Sequence, residues 1–443
     1  MKMGMAAVAA IALGLTVALA PWLYALVLPA GLALGVLALV LQWVATGGPE
    51  DRKVAWWTYA SYVLHLALSL AIGVSNLTVA FFGPDANTYH AEAVKIARHW
   101  SVGTPMPDLP YGKEGFFFAL ARLYDLLGPY RVSGLALTSL CSALLVPLVA
   151  DSTRRLFGSR PAAAVLPLVV LLPGILVWTS QLLREAPILA CLALGANLAI
   201  RLSQRLSAGR FAALGLTVAV LFTLRANIAY VFAAGIFVGL VLSGRHLMAG
   251  VATAAITLAL VAAIVVGGGL GESGYEYVAA ADLEQVNTLR ADLAQTANTG
   301  IARDADVSTA SGSLAYLAIG VPQLLLGPFP WQVRNLKQFL GLLEAMTLWP
   351  LVPALVRGLR QARRASGRRV ALLLAPAAGT TLILALIIGN YGTSVRERLQ
   401  VVIFLLPLIA LGRVRVDGED HAPPTDAGAV TAPGVAAMAA PAR

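Results

Sequence analysis

Charge is scarce in this 443-residue chain: Asp, Glu, Lys and Arg make up 12% of it, against 58% hydrophobic residues. With a mean hydropathy of +0.78, it carries more apolar surface than a soluble globular domain can use. That leaves a polytopic membrane protein. Cysteine is scarcer still. The two present, Cys141 and Cys191, both fall inside apolar runs and read as small core side chains rather than a disulfide or a metal site. A cleavable leader is not recognisable either. The run from Met5 is followed directly after Pro21 by a second apolar run, with no small-residue cleavage site before a polar start. No internal repeat stands out.

What the sequence does have is hydrophobic runs. At 1.5 Å per residue, those able to cross a ~30 Å hydrocarbon core sit at roughly 5–20, 22–45, 55–81, 130–150, 162–179, 185–203, 211–225, 227–243, 247–268, 333–356, 370–389 and 397–412. They predict an all-α protein of about 12 transmembrane helices. Placing Met1 in the cytoplasm puts the basic clusters "STRRLFGSR" and "RGLRQARRASGRR" inside, together with the C-terminus. The net charge of +10 is then a topology signal and not a nucleic-acid footprint. Composition rich in Ala, Gly and Arg with few lysines suggests a GC-rich bacterial genome, so the expected location is a bacterial cytoplasmic (inner) membrane.

This reading divides the chain into two N-terminal helices (1–54), a transmembrane core (55–412) and a disordered cytoplasmic tail (413–443) rich in Ala, Pro, Gly and Thr. External loops are expected at about 83–129 and 269–330. The first holds two short helical patterns. Tyr89, Ala93, Ile96 and Trp100 share one face of the first. The second, "GFFFALARLYDLLG", is about 20 Å long and too short to span. A Pro-rich turn, "TPMPDLPYGKEG", joins them, as in a pair of helices lying on the membrane.

Most strongly placed polar residues fall at the outer ends of helices or in outer loops: Asp85, His90, Lys113, Glu114, Arg184, Glu185, Arg225, Asn227, Asn390, Arg396 and Arg398. Only His65 and Glu344 sit near the middle of a predicted span. A transporter gathers polar groups near the midplane; an enzyme of the outer leaflet gathers them at one face.

In its order of elements the chain resembles the GT-C superfamily, integral-membrane glycosyltransferases that take sugars from polyprenyl-phosphate donors. The helix at 55–81 leads to Asp85 and a first external loop with two juxtamembrane helices, and a helix then returns to a basic "RRLFG" turn. After it come "LPGILVWTSQLLREAPILACLAL" and, near the end, "GNYGTSVRERLQVVIFLLPLIAL". These are similar to the Pro-rich, Trp-Ser and Arg-Glu stretch of such bacterial proteins, and to their Arg-x-Arg before a Pro-containing last helix. The likeness covers roughly 55–412, and two helices precede the usual first one. The Asp-x-Asp of metal-using members is absent from the first loop; "RDAD" at 303–306 has the spacing but sits in the second. No cofactor is implied, and the resemblance leaves a divalent metal open.

The resemblance implies transfer from a lipid-borne sugar to a glycan, lipid or protein acceptor, and it organises the candidate residues. Asp85 is the candidate general base, placed to take the acceptor hydroxyl proton; after Gly-Pro it is equally a good helix cap. Arg184, Arg225, Arg396 and Arg398 are candidates for the donor phosphate, since guanidinium groups meet phosphate with charge and a forked geometry. Each could instead snorkel to headgroups. Arg396 and Arg398, flanking Glu397, look the best pair. Tyr89, His90, Lys113, Glu185 and Asn390 are candidate lining residues. Glu185 diverges from its neighbour Arg184 on a helix and could orient a different arginine; Glu344 needs a partner inside the bundle. An O-antigen polymerase or ligase type of enzyme, and a lipid or solute transporter, are the competing readings.

Overall fold

The computed structural model describes residues 24–74, 85–109, 113–244, 255, 282–296, 300–302 and 304–414. Expectations for the first apolar run, for 75–84, for the run at 247–268, for Arg303 and for the tail beyond 414 lie outside these residues.

The described chain is helical, with no strand and one isolated bridge between Gly300 and Asn390. In order the helices are α1 (Tyr24–Thr46), α2 (Pro49–Val74), α3 (Asp85–Val102), α4 (Glu114–Leu127), α5 (Arg131–Phe157), α6 (Ser159–Leu171), α7 (Pro173–Thr179), α8 (Glu185–Gln204) and α9 (Ala208–Leu224). They continue with α10 (Ala226–Ser243), α11 (Leu283–Thr296), α12 (Ala310–Leu326), α13 (Leu336–Leu348), α14 (Val352–Ser366), α15 (Ala371–Ile387), α16 (Tyr391–Glu397) and α17 (Leu399–Arg413).

Five stretches among the described residues are helical, long and apolar enough to cross a membrane: Pro29–Thr46, Arg131–Phe157, Glu185–Gln204, Ala226–Ser243 and Gln338–Ile387. A sixth crossing is possible through α6 and α7, which bend by 51° at their junction. The bend is local chemistry. Pro173 opens α7 and has no N–H to continue the α6 ladder, and the residue before a proline is driven out of helical geometry. Leu172 accordingly has ψ 118°, so the run expected at 162–179 is a broken helix. Shorter apolar helices are Ala208–Leu224, Ala310–Leu326 and Leu399–Arg413. Bulky side chains such as Leu34, Leu39, Leu216, Leu242 and Ile319 remain exposed, as they do on helices solvated by lipid.

Both helices expected in the first loop are present. α3 buries Ala86, Tyr89, Ala93, Ile96 and Ala97, and α4 buries Phe116, Phe117, Leu120, Ala121 and Tyr124. They pack face to face through Tyr89, whose ring lies 5.0 Å from Phe116 and 4.9 Å from Phe117. α14 packs against α17 through a row of small residues, Ala354, Gly358, Ala362 and Ser366. A Cβ on Gly358 would collide with the Leu408 carbonyl, and one on Gly412 with that of Ala354. Backbone contact of this kind is a common way for helices to associate where lipid removes the hydrophobic drive.

Candidate functional site

The cluster is assembled from helix ends. Asp85 is the first residue of α3, Lys113 immediately precedes α4, and Arg184 and Glu185 open α8. Arg225 sits in the break between α9 and α10, and Arg396 and Glu397 close the short α16. A two-turn helix ending in charge forms here because Asn390 caps it, its Oδ1 accepting from the Thr393 amide at 2.8 Å.

Arg396 is the centre. Its Nη1 donates to Asp85 Oδ2 at 2.7 Å, and its Nε lies 3.0 Å from Glu185 Oε1. The second contact is ionic and not a directed hydrogen bond: Glu185 is 2% exposed, yet neither carboxylate oxygen has a hydrogen-bond partner. Burial alone would lower the proton affinity of Arg396, but the carboxylates of Glu185, Asp85 and Glu397 outweigh it and hold the guanidinium above its ordinary range.

Beside this centre lie cations with less compensation. Arg225 pairs through Nη2 with Glu397 Oε1, while its Nη1 is buried without a partner. Arg184 has no ion pair among the described residues. Its Nη1 donates to the Leu224 carbonyl at 2.8 Å, closing the C-terminus of α9 as a cation does well. Burial, then the nearby Arg225, hold Arg184 below the usual arginine range. Lys113 also lacks an ion pair among the described residues. Burial lowers its proton affinity first, then repulsion from Arg184 and Arg225, with Asp85 pulling the other way. Tyr89 faces the same charges, and burial pushes its phenol up to about 12.

Of the residues singled out in the sequence, Asp85, Tyr89, Lys113, Arg184, Glu185, Arg225 and Arg396 are therefore brought together. Glu397, which Arg396 and Arg398 flank in the sequence, belongs with them. Three others are placed elsewhere. His90 turns to α4, its Nδ1 2.9 Å from the Tyr124 hydroxyl. Asn390 caps α16 and reaches Leu293 O at 3.4 Å with its Nδ2, so it supports the cluster without lining it. Arg398 does not pair with Arg396 as expected. It is 0% exposed and donates to Glu344 Oε1 at 2.9 Å and to Gly327 O at 2.6 Å. Two residues apart on a helix point roughly 200° apart, so the two arginines serve opposite sides of the junction. Glu344 finds the partner it needs in Arg398, and a second in Trp178 Nε1 at 3.2 Å.

Among the described residues no three His, Cys, Asp or Glu side chains are grouped so as to hold a metal ion. Asp306 of the Asp-x-Asp accepts from the Ser308 amide at 2.8 Å. The fold and the cluster define a class, an all-helical membrane protein with a buried ionic site built from the ends of α3, α4, α8, α9 and α16. No protein-family model and no curated protein matches the chain.

Proposed function

We propose that this protein is a membrane glycosyltransferase of the GT-C kind, moving a sugar from a polyprenyl-phosphate donor to a glycan, lipid or protein acceptor at the outer face of the cytoplasmic membrane. One observation carries the reading: a carboxylate at the edge of the bundle, Asp85, shares a site with Arg184, Arg225, Arg396 and Lys113. In the reaction Asp85 takes the proton of the acceptor hydroxyl. The acceptor oxygen bonds to the sugar C1 as the C1–O bond to phosphate breaks, and that electron pair leaves on the lipid phosphate. Arg184, Lys113 and the unpartnered Nη1 of Arg225 face the charge that grows there. Arg396 orients the Asp85 carboxylate from the side of Glu185. Arg398, committed to Glu344, is a structural residue in this scheme.

The gathering of Asp85, Lys113, Arg184, Glu185, Arg225, Arg396 and Glu397 at helix ends supports an enzyme over a transporter. The experiment follows labelled sugar from a polyprenyl-phosphate donor in purified membranes. Asp85→Asn keeps the shape and the capping ability and is expected to lose transfer on the order of 10²-fold or more without loss of stability. Full activity of that variant would leave Asp85 only a structural partner of Arg396. Solute uptake by proteoliposomes without any glycosidic product would replace the enzyme reading with a transporter.

A further inference from the structure

A cavity of about 210 Å³ lies at the other end of the bundle and has no part in the proposed transfer. α8 runs from Glu185 in the ionic cluster to Arg201 beside this cavity, about 24 Å at 1.5 Å per residue. One wall is apolar, with Trp43 from α1, Leu148 from α5, and Ala163 and Leu166 from α6. The rim is charged with both signs. Glu50 and Asp51 come from the first turn of α2, and Arg154, Ser159 and Arg201 from α5, α6 and α8.

Much of the surrounding charge is already fixed. Asp151 accepts from Arg155 at 2.7 Å, Asn197 at 2.8 Å and Arg201 at 2.9 Å, which ties α5 to α8 and closes the floor. The rim is looser. Arg154 divides its guanidinium between Asp51 at 2.9 Å and Asp151 at 3.4 Å. Its side chain is 44% exposed and that of Asp51 31%. Glu50 holds only the exposed Lys53. All three side chains are thus partly exposed.

We infer that this cavity is a phospholipid site for a headgroup carrying both a phosphate and a primary ammonium, as in phosphatidylethanolamine. It lies at the end of helices apolar enough to cross a membrane, the depth of a headgroup, and its apolar wall suits the glycerol and the first methylenes. A purely anionic headgroup would meet Glu50 and Asp51, and a purely cationic one would meet Arg154 and Arg201. A zwitterion satisfies both sides. Its ammonium donates to Asp51 and Glu50, and its phosphate accepts from Arg154 and the Ser159 hydroxyl. A quaternary ammonium has no N–H to give, so choline headgroups keep the charge attraction to the carboxylates but lose the hydrogen bonds. This inference is independent of the transferase reading.

The test uses the purified full chain in nanodiscs. Phosphatidylethanolamine, its N-methyl and N,N-dimethyl forms, phosphatidylcholine and phosphatidylglycerol of equal acyl chains are compared as guests. Lipid retained on detergent extraction is measured by mass spectrometry, and the thermal unfolding midpoint is followed in parallel. Retention is expected to fall in steps along the methylation series, on the order of tenfold from end to end, which is about 1.4 kcal/mol, with the midpoint falling alongside. Asp51→Asn should narrow, and Glu50→Gln with Asp51→Asn abolish, the difference between amine and choline headgroups, and Ala163→Phe should reduce retention of both by filling the cavity. Equal retention across the series by the unaltered protein, or strongest retention of phosphatidylglycerol, overturns the inference. A preference that survives the double substitution and Ala163→Phe places the lipid elsewhere and overturns it too. If any variant does not fold, the headgroup series on the unaltered chain still decides.

Discussion

Arg398 and Glu344 give the sharpest test of how charge is used inside the bundle. The guanidinium donates to Glu344 Oε1 from Nε at 3.3 Å and from Nη2 at 2.9 Å, and to Gly327 O from Nη1 at 2.6 Å. Its side chain is shut off from solvent, and that of Glu344 is 12% exposed. In Arg398→Met the bulk remains, but Glu344 is left charged with only Trp178 Nε1 at 3.2 Å, and the Gly327 carbonyl loses its donor. Removing one partner of a buried ion pair costs about 3–5 kcal/mol, a large share of a net stability of roughly 5–15 kcal/mol. Replacing both members, Arg398→Met with Glu344→Gln, removes the stranded charge. The double variant should therefore be more stable than Arg398→Met alone. The expected coupling is about 2–3 kcal/mol, at the upper end for residues in direct contact.

The assay is thermal unfolding of the purified protein in one fixed detergent, for the four members of the cycle, with donor binding followed on the same samples. Additive single effects would refute the buried-pair account. So would an Arg398→Met variant of normal stability that fails to bind the polyprenyl-phosphate donor, since Arg398 would then be facing phosphate.

The remaining predictions concern the cluster and the topology. Lys113 is held below its usual 10.5, so the folded state disfavours its charged form. The resulting cost is present below the folded pKa and disappears as pH rises towards the ordinary lysine value. Lys113→Gln should consequently lose donor affinity without losing stability at neutral pH, and affinity of the unaltered protein should fall on the alkaline side before pH 10.5. Unchanged donor affinity in Lys113→Gln would remove it from the site. Asn390→Asp keeps the α16 cap but not the donor to Leu293 O, whereas Asn390→Ala loses both. Amide hydrogen exchange in 391–397 should rise in the Ala variant by the equivalent of ~1 kcal/mol and stay near normal in the Asp variant, and equal exchange in both would refute the capping role. A cysteine at Asn87 should react with an impermeant thiol reagent in intact cells and one at Ser159 should not; the reverse pattern would put the ionic cluster on the cytoplasmic side.

Much of the fold is legible in the sequence because hydrophobic runs and helix-period patterns record burial directly. α3 and α4 illustrate this: Tyr89, Ala93 and Ile96 on one face of a polar stretch become the contact with Phe116 and Phe117. Element ends are less legible, because hydropathy marks where a run stops being apolar and not where the helix stops. The run read as ending at 356 continues as helix to Ser366 through Arg360, Arg363 and Arg364, since arginine is a good helix former once it reaches water. The site was legible in part. Charge at helix ends pointed to Asp85, Arg184, Arg225 and Arg396. The divergence of Arg396 and Arg398 follows from helix arithmetic and could have been read in advance. The pairing of Arg225 with Glu397, 172 residues apart, could not, because nothing in a single chain marks which distant carboxylate an arginine will meet.

That the cluster is made of helix termini has a physical cause. Backbone groups at a helix end already need partners, so a polar side chain adds least cost there, and its charge can suit the macrodipole. Asp85 and Glu185 stand at N-termini, where a carboxylate is favoured, and Arg225 and Arg396 at C-termini, where a cation is. The others run against the macrodipole: Glu397 is a carboxylate at the C-terminal end of α16, neutralised by Arg225, and Arg184 and Lys113 are cations at the N-terminal ends of α8 and α4. Asp85, Glu185, Arg225 and Arg396 therefore stabilise the helix ends they occupy, and the ion pairs join α3, α8, α9 and α16 across long stretches of sequence. Asp85→Asn keeps the shape but removes the negative charge, and with it the ion pair to Arg396. Arg396→Ala unlinks α3 and α8 together and strands the buried Glu185. The first should separate chemistry from stability and the second should not, which makes Asp85 and not Arg396 the residue on which the proposed transfer is to be judged.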